Sequence, residues 1–179
     1  MLLDGNALAS LEGIGVFRAL HTLSCASNQL HDATPTGCLE RLRVLRMRSN
    51  DLDDAGIARL PTGLAELDLA ENRLSQLRTL LHTLRDGGER LRQLRLLPGN
   101  TWDVDIGLGV VVTAVVVWGF DDLDPKVVSA YRANVQRALP WLAELDGEVL
   151  SSPVQPPQPH QTSTWTVERF TERSALETA

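Results

Sequence analysis

The chain has 179 residues, of which 43% are apolar, enough for one domain with a substantial core. Its 23 acidic and 17 basic residues leave a net charge of −6, which argues against broad nucleic-acid binding, since that is driven by a positive field. The two cysteines, Cys25 and Cys38, lack an extracellular-type cysteine framework and point to a reducing compartment, so an intracellular, cytoplasmic location is expected.

From its start the chain carries an internal repeat. Asn6, Asn28, Asn50 and Asn72 stand at 22-residue intervals, and the last three close leucine runs of one spacing. These runs are Leu20, Leu23 and Cys25 before Asn28, Leu42, Leu45 and Met47 before Asn50, and Leu64, Leu67 and Leu69 before Asn72. A further copy, Leu91, Leu94 and Leu96, follows with its asparagine slipped one place to Asn100. Alternating apolar positions such as Leu45 and Met47 fit a short strand with one buried face, and successive strands are expected to stack in parallel. At the bend after each strand, an amide side chain carries both a donor and an acceptor for buried backbone groups. Asn6, Asn28, Asn50 and Asn72 are therefore read as a structural ladder, with no catalytic role. Behind the strands, Leu8, Leu11, Ile14 and Phe17, then Ile57 and Leu60, then Leu77, Leu80, Leu81 and Leu84 suggest helices or helical turns. The fourth unit runs 27 residues from Leu64 to Leu91, so a full helix is expected there, ended by Asp86, Gly87 and Gly88.

The pattern LxxLxLxxNxL in these residues resembles the leucine-rich repeat family. The resemblance implies an α/β solenoid, with a parallel β-sheet on its concave face and helices or helical turns on its convex face. About five repeats would fill residues 1–100, the first incomplete. Met1 falls at the fourth position of a unit, so the chain reads as truncated at its start. The alternative is an N-terminal end covered by a partner or by self-association. The first residues include an acid and lack a basic n-region, so no signal peptide is expected.

Residues 101–123 form an apolar insertion, where the family allows only a handful of residues. Its run from Ile106 to Phe120 has 15 apolar or small residues, short of the about 20 needed to span a membrane. It reads either as a buried or edge strand pair, given its valines with Gly107 and Gly109, or as a retained intron or other gene-model error. Residues 124–150 then carry Tyr131, Arg132, Val135, Leu139, Pro140, Leu142, Leu145, Asp146 and Gly147 in a pattern similar to the C-terminal cap of the short 22-residue class. That class includes a protein phosphatase 1 regulator, an axonemal dynein light chain, dynein assembly factors and the A-prime protein of a spliceosomal particle. A cap shields the apolar end of the last repeat from water. Residues 151–179 are rich in proline, glutamine, serine and threonine and read as a disordered tail. The spacing of Pro153, Pro156 and Pro159 suits a flexible linker or a polyproline ligand, and Trp165, Val167 and Phe170 a short partner-binding segment.

No catalytic constellation stands out, and no cofactor or metal is expected. The four histidines are scattered, and metalloprotease, CxxC, dinucleotide and P-loop signatures are missing. Asp103, Asp105, Asp121, Asp122 and Asp124 lack the spacing of a calcium loop. Binding is expected on the strand positions that point away from the core. These are neutral in the second unit, then Arg43, Arg46 and Arg48, then Glu66, Asp68 and Glu71, then Arg92 and Arg95. Arg46, Asp68 and Arg95 share one repeat position and should be lateral neighbours on strands about 4.8 Å apart. Such a row can neutralise itself, or its arginines can engage acidic groups of a partner while Asp68 and Glu71 fix orientation. The expected role is a non-enzymatic protein-interaction scaffold with a protein partner, no direct nucleic acid and no membrane. By resemblance it would belong to the cilium or axoneme. The alternative is a spliceosomal A-prime-like component of a ribonucleoprotein particle.

Overall fold

Each leucine run forms a short strand because its alternating side chains can bury on one side only. The computed structural model, which describes residues 1–107, 110–115 and 125–150, begins with β1 (Thr22–Ser24), β2 (Val44–Arg46), β3 (Glu66–Asp68), helix α1 (Leu77–Asp86) and β4 (Gln93–Arg95). There follow β5 (Thr101–Gly107), β6 (Val110–Val115), helix α2 (Pro125–Ala138), β7 (Glu144–Leu145) and β8 (Glu148–Val149). The first four strands pair in parallel and in chain order, with Leu23, Leu45, Leu67 and Leu94 in one fully buried register row. β7 joins β4 in parallel and β8 turns back antiparallel, completing a mostly parallel six-stranded sheet in an α/β fold. Leu2 bridges to Ser24 in the same parallel sense, so the first residues extend the sheet beyond β1.

The asparagines hold the bends. Asn50 accepts the Leu30 amide and donates to the carbonyls of Cys25, Met47 and Arg48. Asn72 repeats this one unit later, accepting from Leu52 and donating to Met47, Leu69 and Ala70. Asn28 accepts from Asn6 and Leu8 and donates to Leu3, Cys25 and Ala26. Asn6 itself is exposed and donates only to the Asp4 carbonyl with its side chain. The slipped Asn100 still closes the ladder, accepting from Leu74 and donating to Leu69 and Leu96. The residue before each asparagine takes a left-handed backbone: Gly5, Ser27, Ser49, Glu71 and Gly99 have φ of 66°, 54°, 54°, 54° and 91°. At Gly99 a Cβ would also fall 2.6 Å from the Glu71 Cα, so the extra residue of this bend is accommodated only by glycine.

Behind the sheet the units differ. Single 3-10 turns occupy Ile14–Val16 and Thr34–Cys38, and the third unit makes plain turns around the buried Ile57. Only the longer fourth unit has room for a full helix, α1, which buries Leu77, Leu80, Leu81 and Leu84 and stops at Gly87. Phe17 departs from the expected inward face: it is 47% exposed, while Leu11 and Ile14 of the same unit are buried. Neighbouring back segments approach closely, and the Ala33 amide donates to the Gly56 carbonyl at 2.8 Å.

The apolar insertion is an antiparallel strand pair, β5 and β6, over its described part. Its first residues belong to the core. The Thr101 and Asp103 amides donate to the carbonyls of Leu74 and Ser75, and Trp102 is buried. Residues 108–109, 116–124 and the tail at 151–179, with its proline motif and Trp165, Val167 and Phe170, lie outside the described residues. Among the described residues, no helix is long and apolar enough to cross a membrane.

Residues 125–150, where a cap is expected, pack at the far side of the sheet. α2 buries Tyr131 and Val135, followed by buried Leu139, Trp141, Leu142 and Leu145, while Pro140 is exposed. The Tyr131 hydroxyl donates to Asp146 Oδ2 at 2.7 Å, and Asp146 Oδ1 accepts the amides of Leu96 and Leu97 at 2.7 and 2.9 Å. Arg132 pairs with Glu148 on β8.

Candidate functional site

Register places the candidate residues in rows across the open face of the sheet. One row runs Ser24, Arg46, Asp68 and Arg95; the row before it runs Thr22, Val44, Glu66, Gln93 and Glu144. Arg46 is thus flanked by Asp68, and Asp68 by Arg95, as their repeat position requires.

The ion pairs run diagonally between rows. Arg46 donates from Nε and Nη2 to the two oxygens of Glu66 at 2.7 and 3.2 Å. Arg95 meets Glu144 at 3.5 Å, and Glu144 also accepts from Gln93 at 3.1 Å. Arg48 pairs with Glu71, which further accepts from the Ser49 hydroxyl. These contacts hold the Glu71 carboxyl below the usual carboxylate range, through Arg48 first and then Ser49. The guanidiniums of Arg46 and Arg48 are raised, chiefly by hydrogen bonds to Glu66 and Glu71.

Asp68 is placed differently from an exposed docking group. It is only 5% exposed and accepts the Ala70 amide at 3.1 Å. Burial pushes its carboxyl above the usual range, against the opposing pull of that amide and of Arg95 and Arg48. Arg43 and Arg92, one unit position before the strands, spend donors on their own bends. Arg43 Nη1 reaches the carbonyls of Glu40 and Leu42, and Arg92 Nη1 those of Glu89 and Leu91. The structure therefore brings together Arg46, Arg48, Arg95, Glu66, Glu71 and Asp68 on the open face, and gives Arg43 and Arg92 a bend-holding task as well.

Glu144 belongs to this face and was not among the sequence-based candidates. Its signal is an exact repetition: Leu64-Ala65-Glu66-Leu67-Asp68 recurs as Leu142-Ala143-Glu144-Leu145-Asp146. The cap's strand is thus one more copy of the strand motif, and the two aspartates share a task. Both accept backbone amides beside the sheet, and burial raises both carboxyls. At the other edge Asp4 accepts the Ala26 amide and the Ser24 hydroxyl, both at 2.7 Å.

Val44, Ala65, Glu66, Arg92, Gln93, Ala143, Glu144 and Val149 line an open groove of about 320 Å³ beside this face. Both cysteines are free thiols; Cys38 is exposed, whereas burial pushes Cys25 up to about 12. Among the described residues, no group of three or more His, Cys, Asp or Glu side chains could hold a metal ion. No protein-family model matches the chain, and no curated protein matches it either.

Proposed function

We infer that the chain is a non-enzymatic protein-interaction scaffold, a leucine-rich repeat solenoid that receives a protein partner on a concave sheet face. One observation carries the reading. Arg46, Arg48 and Arg95 stand on adjacent parts of the open face, and each is held by a carboxylate from a neighbouring strand, cap strand or bend. Isolated exposed pairs of this kind contribute under about 1 kcal/mol each to folding. Held side chains lose less freedom when a partner docks, which favours their use in binding over their use in stability. The intracellular setting, ciliary or spliceosomal, would then follow from the partner.

The test compares the endogenous tagged chain with its Arg46→Gln/Arg95→Gln form by affinity purification and mass spectrometry. The reading expects specific proteins to be lost from the variant while its melting temperature stays unchanged. Axonemal proteins among the losses would select the ciliary setting, splicing factors the ribonucleoprotein setting. A variant that keeps every partner, or loses partners only in step with its melting temperature, would overturn the scaffold reading.

A further inference from the structure

We propose that the open sheet face takes an acidic peptide segment bearing one apolar side chain, with the apolar side chain in the groove and its carboxylates on Arg46 and Arg95. The inference rests on the scaffold reading above and adds the chemistry of the partner.

A count of charges alone would point the other way, because carboxylates outnumber guanidiniums on this face. Exposure reverses the sign that a partner meets. The side chains of Arg46 and Arg95 are 46% and 45% exposed, whereas the Glu66 and Glu144 that hold them are 16% and 22% exposed. Asp68, between the two arginines in the register, is sunk deeper still. Around Arg46 and Arg95 the carboxylates form a lower layer and the guanidiniums the outer one, whereas Glu71 beside Arg48 is itself 37% exposed. A guanidinium has five N–H donors, and Glu66 occupies only two groups of Arg46, Nε and Nη2. The remaining donors suit carboxylates presented from outside. A basic segment would meet those guanidiniums first and be repelled.

The groove supplies the second element. Val44, Ala65, Ala143 and Val149 give it apolar walls, and Val149 at its lip is 85% exposed. Arg46 lies two residues along β2 from Val44, and Arg95 two residues along β4 from Gln93. Two residues of strand cover roughly 6.6 Å, so one peptide can fill the groove and reach the arginines within a few positions. Nucleic acid fits less well, because its phosphates offer no apolar group for Val44 and Val149.

The experiment selects binders to the full chain from a library of random short peptides. A synthetic peptide with one leucine flanked by glutamates, its leucine-to-serine form, a lysine-flanked form and a single-stranded oligonucleotide are then measured by fluorescence anisotropy. The expected enrichment is for acidic residues around an apolar one. Arg46→Gln/Arg95→Gln should weaken the acidic peptide by about tenfold, as loss of two exposed charge contacts does. Arg46→Lys/Arg95→Lys should retain most binding, and Val149→Ser should narrow the preference for leucine over serine. Circular dichroism melts of each variant check that the fold is kept. Enrichment of basic or uncharged peptides, tighter binding of the oligonucleotide, no enrichment at all, or indifference to the arginine changes would each overturn the proposal. If the native partners nevertheless depend on Arg46 and Arg95, the acidic-segment chemistry fails while the scaffold reading stands.

Discussion

Asp68 shows how one position in a repeat can be pulled from function into support. Its place in the strand marks it as outward-facing, yet Arg46 and Arg95 stand on either side and the Ala70 amide binds it from its own bend. Because burial raises its carboxyl above the ordinary 3.8, the folded chain holds this proton more tightly than the unfolded chain does. Its contribution to stability is therefore greatest below pH 3.8 and is lost as pH rises through the folded-state value. Asp68→Asn keeps an oxygen for Ala70 and removes the buried charge. Urea titrations should show the variant more stable than the parent at neutral pH, with the difference vanishing at acid pH. A variant less stable at neutral pH would mean that attraction to Arg95 and Arg48 outweighs burial. None of this is legible in the sequence, which gives the facing of position 68 but not how far its long neighbours cover it. The diagonal choice of Glu66 by Arg46 is hidden for the same reason, since side-chain reach decides it.

At the level of elements, the strands and their order were readable because 22-residue spacing leaves little freedom: Leu45 must pair with Leu67 if both bury on one side. The helix α1 was readable from its unit's extra length and from Gly87. The back segments were less so, because turns and 3-10 helices share the same apolar spacing. How tightly they pack shows at Gly56, where a Cβ would lie 2.1 Å from the His31 carbonyl oxygen. That oxygen is backbone and cannot swing aside, so Gly56→Ala must push two units apart. The expected cost is about 3 kcal/mol, at the upper end of overpacking, read as a lowered urea midpoint. A change under about 1 kcal/mol would mean that the second and third units slide past each other freely.

Across the whole molecule, the ends of the sheet are finished by carboxylates. Asp4 takes a backbone amide at one edge, and Asp146 takes two together with the Tyr131 hydroxyl at the other. The sequence pattern of residues 124–150 points to Tyr131 and Asp146, and the repeated Leu-Ala-Glu-Leu-Asp marks β7 as a member of the sheet only weakly. The strand signal there is only two residues long in the structure. Asp146→Ala would strand three donors, two of them backbone, in a half-buried place. It should lower stability by about 3 kcal/mol or more, each orphaned donor costing about 1–3 kcal/mol, while Tyr131→Phe, which leaves both amides satisfied, should cost about 1 kcal/mol. Equal losses in the two variants would place the weight of the cap on the tyrosine hydroxyl instead.

The hairpin of β5 and β6 sits inside the longest connection between paired strands, from Leu94 to Leu145, where the earlier pairs such as Leu45 and Leu67 are separated by a single 22-residue unit. Loop-closure entropy grows only with the logarithm of length, so the longer path adds roughly 0.7 kcal/mol to the cost of joining β7 to β4. A chain can therefore lengthen this connection at little entropic cost, so long as Trp102 and the Thr101 and Asp103 amides keep their places in the core. The stretch between β4 and β7 beyond Asp103 is thus a natural graft site, at which a reporter or a second recognition loop could be spliced into the protein without rebuilding the sheet.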